Sequence, residues 1–455
     1  MCSEGSVAAA IGIDIGTTSI KCCVLSDQGR ILAQKSVVHD AWIKHQGNGY
    51  HEQDAAQILH VACSLLKSLD LAFCSYELTI SVTGQMHGIV FWNGQDLAEG
   101  KFNCSPLITW MDERVPKSFV KSLPRWECGE LHIGYGLVTF AWLRTHDLID
   151  PTWTCCGTIM DMLICYLAQL THSVIGIQNA YSWGYCTYDG HWTVQEELVP
   201  AHLRPKICLS DDVVGLVQRT DAGLPLHAKL LASCGDLQST VYPLLKPGLA
   251  VLNLGTSAQL CFAHSYEDDA IIASPPLLIE PFFGTQDTAR IVVAASMNGG
   301  NAIDTIANKI VEWATELTSG DYELRVDFGK LNELLDTPAE QSSPTVCVDP
   351  VFIVERSSSA SSSISGISSR TTIKEVIHGT AAGVISNLFR LLSPDQLYQC
   401  GIRHIKLTGN AGRSYFINEI KRQCGQRFCI FVTDDTNCSA AYGAALHALQ
   451  LSRNQ

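Results

Sequence analysis

The chain has 455 residues, of which 46% are hydrophobic and 17% charged, and its formal net charge at pH 7 is −14. This length is too great for a single hydrophobic core and suits two domains, while the composition excludes a disordered chain. The negative charge argues against a nucleic-acid partner or an anionic membrane, because those surfaces are bound by clustered lysine and arginine.

The first half of the chain is predicted to alternate strands with helices. In chain order the pattern predicts strands at 9–25 and 31–38, an amphipathic helix at 54–69, a buried strand at 78–82 and a short strand at 107–111. Asp112 and Glu113 are expected to begin a helix after the last of these strands, because acidic side chains favour a first helical turn. An apolar run at 230–234 and a helix at 237–244 close this half.

The second half repeats the alternation. Its pattern predicts strands at 250–254, 258–263, 291–295 and 405–407, and helices at 301–317, 373–392 and 439–449. Such alternation is typical of α/β layers. Lys246, Pro247 and Gly248 mark the expected boundary, so the predicted domains are 1–246 and 247–455. The serine-rich stretch 356–370 is expected to be a flexible loop, with a phosphorylation target as the alternative.

One short motif occurs in both halves, as IDIGTT at 13–18 and as LNLGTS at 252–257. Each copy is an alternating apolar strand that breaks at a glycine, continues with two hydroxyl residues and then resumes as a second strand. A turn of this kind offers unpaired backbone N–H groups and hydroxyls, which form a phosphate cradle. A single copy would more often be an ordinary hairpin. Two copies suggest two like domains that face one nucleotide across a cleft.

Asp236 is the strongest candidate for a catalytic group. It follows an apolar run that ends in small residues, so its carboxylate is expected at a strand end, where it can accept a proton from a substrate hydroxyl. The alternative is that Asp236 is the N-cap of the helix that follows. The residues alone leave both roles open.

Two further strand ends carry polar side chains that suit a polyol. The segment TGQMHG at 83–88 places Gln85 and His87 between two glycines, although a lone histidine of this kind is more often structural. Trp110, Asp112 and Arg114 bring together an indole, a carboxylate and a guanidinium. This trio binds a sugar or forms a surface ion pair that contributes little to stability.

Several familiar motifs are absent from the chain. It contains neither G-x-x-x-x-G-K-[ST] nor G-x-G-x-x-G, so it supports neither a P-loop nor a dinucleotide fold. The 19 cysteines include no C-x-x-C pair, and the N-terminus has no basic region typical of a signal peptide. An odd number of cysteines in such a context predicts reduced thiols and a cytoplasmic location.

Taken together, the two hairpins, the segment at 84–88, the W-x-D-x-R motif at 110–114 and Gly235-Asp236 resemble the FGGY family of carbohydrate kinases. The resemblance covers about 11–449 and includes Glu52-Gln53-Asp54 ahead of the first long helix. It implies two ribonuclease-H-like α/β domains of the actin/hexokinase-type ATPase kind, which flank a deep cleft. The first domain is then expected to bind the sugar and the second to bind ATP.

The resemblance also implies a role for individual residues. Asp14 is expected to position Mg²⁺ and Asp236 to act as the catalytic base. The implied nucleotide contacts are Gly16, Thr17, Thr18 and Lys21 in the first half, with Gly255, Thr256, Ser257, Gly299, Gly300, Asn301, Gly409, Asn410 and Ala411 in the second. The implied sugar contacts are Gln85, Met86, His87, Trp110, Asp112, Asn179 and Asp236.

The chain departs from the family pattern at two positions. Thr139 stands where the family has a lysine before Trp142, and Asn410 replaces the second glycine of a Gly-Gly pair, which is expected to narrow the base pocket. The implied substrate is the seven-carbon ketose sedoheptulose, phosphorylated at its terminal hydroxyl, and the product would feed the pentose phosphate pathway. Another ketose such as xylulose, or an inactive sugar sensor on the same fold, is the alternative.

Overall fold

The computed structural model describes residues 7–45, 49–69, 71, 74–264, 277–284, 290–318, 324–336, 345–353, 355, 361–432 and 439–454. The chain divides into two compact units. The first comprises Met1–Pro243, Glu280–Ala289 and Thr436–Gln455, and the second comprises Leu244–Ile279 and Arg290–Asp435. No helix in the described part of the chain is both long and apolar enough to cross a membrane.

The first unit is built on a seven-stranded sheet of order β11-β12-β5-β1-β2-β3, with β13 also paired to β5. The strands of the first unit, which include those of smaller two-stranded sheets, are β1 (Ala8–Ile15), β2 (Ser19–Ser26), β3 (Ile31–Val38), β4 (Glu52–Gln53), β5 (Cys74–Gly84), β6 (Val90–Trp92), β7 (Leu107–Ile108), β8 (Cys155–Gly157), β9 (Val174–Gly176), β10 (Lys206–Cys208), β11 (Val213–Leu216), β12 (Lys229–Leu231) and β13 (Cys234–Gly235). Its helices are α1 (Ala55–Lys67), α2 (Gly94–Ala98), α3 (Lys117–Ser122), α4 (Gly136–Thr145), α5 (Ile159–Ala168), α6 (Ile177–Ser182), α7 (Asp236–Val241) and, from the C-terminus, α13 (Ala440–Asn454).

The central strand β1 is buried at every position, which explains its nearly continuous apolar sequence. It pairs antiparallel with β2 and parallel with β5. Helix α1 lies on one face of this sheet with its apolar stripe inward, and it begins at its cap Asp54, whose side chain accepts the N–H of Gln57. Adjacent cysteines, such as Cys22 and Cys23, are fully buried, as expected for cysteines in apolar runs.

The second unit is built on a six-stranded sheet of order β16-β17-β15-β14-β20-β21. Its strands are β14 (Leu249–Leu254), β15 (Ala258–His264), β16 (Leu278–Pro281), β17 (Arg290–Ser296), β18 (Cys347–Asp349), β19 (Ser363–Ser365), β20 (His404–Gly409) and β21 (Cys429–Val432). Its helices are α8 (Gly300–Leu317), α9 (Phe328–Asp336), α10 (Ile373–Leu391), α11 (Pro394–Gln399) and α12 (Ser414–Cys424). The apolar faces of α8, α10 and α12 pack in one core with the sheet.

The two units share a topology around the repeated motif. In each, the hairpin (β1–β2 or β14–β15) continues the sheet to a third antiparallel strand on one side and pairs with a parallel strand on the other. The register is also repeated, because Ile15 faces Gly84 and Leu254 faces Gly409. Both of these glycines have a positive φ, and a Cβ would lie 2.3 Å and 2.7 Å from the facing carbonyl oxygen. Only glycine fits there without strain.

The C-terminal helix α13 belongs to the first unit, whereas the predicted domain 247–455 included it in the second. Its alanines share a small core with Ala9 and Ala10 of β1. The approach is so close that a Cβ on Gly12 would lie 1.9 Å from the carbonyl oxygen of Ala441. Small residues on both elements therefore hold the end of the chain on the first sheet.

Most predicted elements are present within a few residues of their expected bounds. The predicted strand 9–25 is a hairpin of two strands, as the motif required, and the strand predicted at 107–111 is shorter. The helix expected at Asp112 and Glu113 is wrong, because α3 begins only at Lys117. Both oxygens of Asp112 are occupied by Arg114 and are therefore committed to an ion pair. In the serine-rich stretch, 356–360 lies outside the described residues.

Candidate active site

Two carboxylates, Asp14 and Asp236, lie at the carboxyl ends of the two strands, β1 and β13, that flank β5. Asp14 is the penultimate residue of β1, and Asp236 directly follows β13 as the first residue of α7. Both β1 and β13 run parallel to β5, and Ile15 and Gly235 each pair with Gly84. The carboxylates therefore meet at the carboxyl end of the sheet, where α/β proteins commonly bind ligands.

Each of these carboxylates holds its proton more tightly than an exposed acid does. Burial, then repulsion from Asp236, raises the pKa of Asp14 to about 7, although Lys21 on the facing strand lowers it. Burial also raises the pKa of Asp236 to about 6, against the effect of the Leu237 N–H, which lies 2.7 Å from its Oδ1. Paired carboxyl groups with pKa values this close to neutrality are suited to proton transfer or to a cation.

Asp236 is not the N-cap of α7. The residue that precedes the helix is Gly235, and no side chain caps it. Asp236 lies inside the first turn and accepts only the N–H of its neighbour Leu237 and its own N–H. The interpretation of Asp236 as a helix cap is therefore wrong, and its role as a proton acceptor stays a prediction.

The two phosphate turns are built alike, but not as expected in one respect. The N–H of Gly16 donates to Ser19 O at 3.0 Å and that of Gly255 to Ser257 O at 3.0 Å, so neither glycine N–H is unpaired. Neither glycine has a positive φ. A Cβ on Gly255 would meet only the carbonyl oxygen of Ser257, at 4.0 Å, so this position is open to a ligand. The predicted phosphate contacts therefore fall to the N–H groups and hydroxyls that follow each glycine.

The carbonyl groups of the first turn are all held by neighbouring residues. The buried imidazole of His39 lies with Nε2 3.2 Å from Gly16 O, and the backbone N–H of His39 donates to Thr18 O. The side chain of Gln53 donates from Nε2 to Thr17 O at 2.7 Å. With its carbonyl groups fixed, the turn has its remaining donors oriented in advance.

Gln85 and Met86 directly follow β5. Gln85 is 3% exposed, and its Nε2 donates to Gln53 Oε1 at 2.9 Å. Met86 is also buried, and its sulfur would lie 2.6 Å from a Cβ on Gly235. Met86 therefore packs against the residue that precedes Asp236, whereas Gln85 is joined to Gln53.

His87 is positioned by contacts on two sides. Its backbone has a φ of 70°, its Nδ1 lies 2.8 Å from the carbonyl oxygen of Ser182, and its ring stacks on Tyr135 with centroids 4.9 Å apart. These contacts favour the structural interpretation of the ring, and they also leave it partly exposed. Contact with a sugar stays a prediction.

Trp110 lies close to the first phosphate turn, whereas Asp112 forms a buried ion pair. The indole Nε1 of Trp110 donates to Thr17 Oγ1 at 3.2 Å. Asp112 binds Arg114 through both oxygens, and Arg114 also binds Glu52 at 2.5 Å. The side chains of Asp112 and Arg114 are 1% and 6% exposed, so the alternative of a surface ion pair is wrong.

Asn179 lies beneath residues 233–235, which lead to Asp236, rather than on their surface. It is fully buried, and its Nδ2 donates to Ser233 Oγ at 2.8 Å. Ser233 Oγ in turn donates to the buried Asp161 at 2.5 Å, and Gln178 Oε1 accepts the N–H of Gly235 at 2.9 Å. This network orients the three residues that precede Asp236, so Asn179 supports the site from behind.

The structure brings the three predicted nucleotide segments of the second unit together. The N–H groups of Gly300 and Asn301 donate to the carbonyl oxygens of Gly255 and Thr256, at 2.8 and 3.2 Å. The start of α8 is thus joined to the second phosphate turn. Asn410 is exposed, and its Nδ2 lies 3.6 Å from where a Cβ on Gly300 would be.

The position of the third segment, 409–411, follows from the pairing of β14 with β20. Gly409 ends β20 opposite Leu254, the residue before the second phosphate turn. Ala411, the last residue of this segment, is fully buried. All three segments therefore meet around the end of β14.

Glu355 is a buried residue that was not among the predicted site residues. It is 7% exposed, and it accepts hydrogen bonds from Ser296 Oγ at 2.6 Å, Met297 N at 2.9 Å, Asn298 Nδ2 at 2.8 Å and Asn387 Nδ2 at 3.1 Å. Three of these four donors immediately precede the turn that begins α8. Glu355 thus fixes the approach to a predicted nucleotide segment.

Sequence patterns gave only a partial signal for these supporting residues. Thr158 and Asp161 form a capping box at the start of α5, which the T-x-x-D spacing indicates, but the bond to Ser233 depends on a distant strand. Glu355 immediately precedes the serine-rich stretch 356–370, which has no periodic pattern, so no local signal indicated its role. Gln53 was visible only as part of the Glu52-Gln53-Asp54 segment.

The chemistry of Asp14 and Asp236 fits a magnesium ion. Mg²⁺ binds through one or two carboxylates, water and substrate phosphates rather than in a cage made only of protein groups. Within the described residues, no group of three or more His, Cys, Asp or Glu side chains could hold a metal. Asp14 and Asp236 therefore supply the one or two carboxylates that such a magnesium site uses.

Three kinds of comparison with known proteins all match carbohydrate kinases. Residues 9–172 match the model of the FGGY family of carbohydrate kinases, N-terminal domain. The chain is 30% identical to the sedoheptulokinase of Mus musculus and 28% identical to that of Homo sapiens, each over 98% of both chains. It is also 29% identical to the xylulose kinase of Staphylococcus xylosus, over 31% of this chain and 30% of that one.

Solved structures of low sequence identity share the fold. The glycerol kinase of Plasmodium falciparum superposes with a TM-score of 0.77 at 18% identity, covering 100% of this chain and 91% of that one. The xylulose kinase of Rhodospirillum rubrum gives 0.76 at 16% identity, covering 97% and 90%. The predicted two-domain α/β fold of the actin/hexokinase kind is therefore confirmed. The chain belongs to the FGGY family of carbohydrate kinases, and it is an ATP-dependent sugar kinase.

Proposed function

We propose that this kinase transfers the γ-phosphate of ATP to the terminal hydroxyl of sedoheptulose, giving sedoheptulose 7-phosphate and ADP. The observation that carries the proposal is the similarity to two sedoheptulokinases along 98% of the chain. The similarity to the xylulose kinase of Staphylococcus xylosus covers only 31% of it. In this proposal, the first unit supplies most of the sugar contacts and the second unit most of the ATP contacts.

The proposed reaction needs one proton acceptor and an environment that stabilises charge on the transferred phosphoryl group. Asp236 accepts the proton of the terminal hydroxyl as that oxygen bonds to the γ-phosphorus and the bond to the β-phosphate oxygen breaks. Because burial raises its pKa to about 6, Asp236 is ionised at pH 7 to 8 but is a stronger base than an exposed carboxylate.

The remaining residues position the reactants. Mg²⁺, when bound, would neutralise charge on the phosphates, and Asp14 would hold it through its water shell. The N–H groups and hydroxyls of Thr17 and Thr18, and those of Thr256 and Ser257, bind phosphate oxygens. Gln85, Met86, His87 and Trp110 contact the sugar.

The test is turnover of the purified protein with ATP and a panel of polyols comprising sedoheptulose, xylulose, ribulose and glycerol. We expect the highest kcat/KM with sedoheptulose. Faster ADP release with xylulose or glycerol would contradict the proposed substrate. Binding of a sugar by calorimetry without ADP release from any member of the panel would instead support an inactive sensor.

A further inference from the structure

A chain of two buried glutamine side chains connects the predicted sugar contact Gln85 to the first phosphate turn. Gln85 Nε2 donates to Gln53 Oε1 at 2.9 Å, and Gln53 Nε2 donates to the carbonyl oxygen of Thr17 at 2.7 Å. Gln53 is 0% exposed and Gln85 is 3% exposed. All three residues lie in the first unit, so the connection is internal to it.

The carbonyl group of Thr17 determines the orientation of both amides. A backbone carbonyl can only accept a hydrogen bond, so Gln53 must present its NH₂ group to Thr17. The oxygen of Gln53 then faces Gln85, which must present its own NH₂ group. The polarity of the whole chain is therefore set at the phosphate turn, and Gln85 Oε1 is left at the far end.

Gln85 Oε1 is buried and has no hydrogen-bond partner among the described residues. A buried acceptor without a donor is costly, and such groups in native proteins are usually paired with a ligand or water. Because the amide cannot rotate without breaking its bond to Gln53, this position accepts only a hydrogen-bond donor. A sugar hydroxyl meets that requirement, whereas a keto oxygen does not.

A second bond ties the same turn to the same set of sugar contacts. The indole Nε1 of Trp110 donates to Thr17 Oγ1 at 3.2 Å. Thr17 is therefore held at its carbonyl through Gln53 and at its hydroxyl by Trp110. A ligand that orders Gln85 and Trp110 also orders the turn that is predicted to bind phosphate.

We propose that Gln53 is a positioning residue that couples the two substrates: a sugar hydroxyl donates to Gln85 Oε1, and Gln53 transmits the resulting fixed geometry to the phosphate turn at Thr17. The inference rests on the proposed function only in taking the ligand at Gln85 to be the sugar. Coupling of this kind is reciprocal, so nucleotide must improve sugar affinity by the factor by which sugar improves nucleotide affinity.

The experiment measures the sugar dissociation constant by calorimetry with and without a non-hydrolysable ATP analogue and Mg²⁺, using the full chain. For the wild type we expect the analogue to tighten sugar binding about tenfold, within the usual range of coupling between two sites. In Gln53→Met, which has similar volume but no amide, the ratio of the two constants falls to about one. A ratio within about twofold of the wild-type value would overturn the proposal.

Two further variants separate coupling from a loss of stability. Gln423→Met is the matched control, because Gln423 is a partly buried glutamine of the second unit that donates to Ser386 Oγ, outside the site. It should keep the wild-type ratio. Gln53→Glu keeps an acceptor for Gln85 but, when ionised, cannot donate to Thr17, so we expect it to lose the ratio while it still binds sugar. Lower thermal stability with an unchanged ratio in either Gln53 variant would mean a merely structural role and would contradict the proposal.

The substrate assignment and the coupling can fail separately. Turnover of the wild type with sedoheptulose is measured first, and its absence contradicts the assignment. The ratio is then measured with whichever ketose is turned over. A kinase that uses sedoheptulose but shows no Gln53-dependent ratio retains the proposed function and loses the proposed coupling.

Discussion

Burial, and then repulsion from the carboxylate of Asp236 on the other side of β5, raises the pKa of Asp14. The two acids therefore carry adjacent negative charges when both are ionised. Such an arrangement is unfavourable for folding without a cation, and it is the kind of arrangement that active sites retain because the chemistry needs it.

The first prediction concerns Asp236→Asn. The amide keeps the size of the side chain but cannot accept a proton from the sugar, so we expect kcat to fall by roughly 10²–10⁴-fold. Thermal stability above pH 6 should be equal or higher, because the variant removes a buried charge whose pKa is raised to about 6. Turnover and Tm are measured on the same preparation, with ATP affinity as a folding control. Turnover within about threefold of wild type would exclude Asp236 as the base.

The second prediction concerns the pH dependence of stability in metal-free protein. The pKa of Asp14 is about 7 when folded and near 3.8 when unfolded, so the folded state binds more protons between these values. Stability therefore decreases as the pH rises through this window, and the full penalty is present above pH 7. Asp14→Asn should raise Tm at pH 8 in EDTA and change it little at pH 4. An equal gain at both values would contradict the raised pKa.

The third prediction concerns the second phosphate turn. Gly255→Val should abolish ATP binding and leave sugar binding largely intact. A Cβ at this position would contact only the carbonyl oxygen of Ser257, at 4.0 Å, so the valine side chain would occupy the open space proposed for the phosphate. Gly329→Val, at an exposed position of α9, is the control for the general effect of replacing a glycine with valine and should bind ATP normally. Unchanged nucleotide affinity in folded Gly255→Val would refute the cradle.

The fourth prediction concerns Glu355. Replacing it with Gln removes the charge that holds Ser296, Met297 and Asn298, so the turn at the start of α8 should loosen. We expect the KM for ATP to rise by about tenfold, since hydrogen bonds to a charged group contribute about 1.5–3 kcal/mol, while the KM for sugar stays unchanged. Glu419→Gln, another buried glutamate of the second unit, is the control and should leave both constants unaltered.

The fifth prediction concerns the buried ion pairs of Arg114. Arg114→Met leaves the carboxylates of Asp112 and Glu52 without their cation, and breaking a buried pair in this way typically costs about 3–5 kcal/mol. Urea unfolding at pH 7.5 should show a loss of this size. A loss below about 1 kcal/mol would mean that the pair contributes no more than a surface one.

The sequence by itself determined the elements whose signals are local. Strand alternation, the glycine-hydroxyl turns and the helix caps are decided within a few residues of one another, so the two hairpins, the helix after Asp54 and the α/β class could be predicted. The repeat of one motif also indicated two like units. The helix predicted at Asp112 was wrong for the same reason. The local pattern did not indicate that the carboxylate of Asp112 binds Arg114 instead of beginning a helix.

The tertiary structure decided everything that depends on contacts between distant parts of the chain. The proximity of Asp14 to Asp236, the bond from Gln53 to Gln85 and the four donors to Glu355 all join segments that no short pattern relates. The same is true of α13. Its position at the end of the sequence led to its assignment to the second domain, but small residues hold it on the sheet of the first unit. Local patterns specify backbone conformation, whereas which side chains meet is specified by strand order and packing, and these are properties of the whole chain.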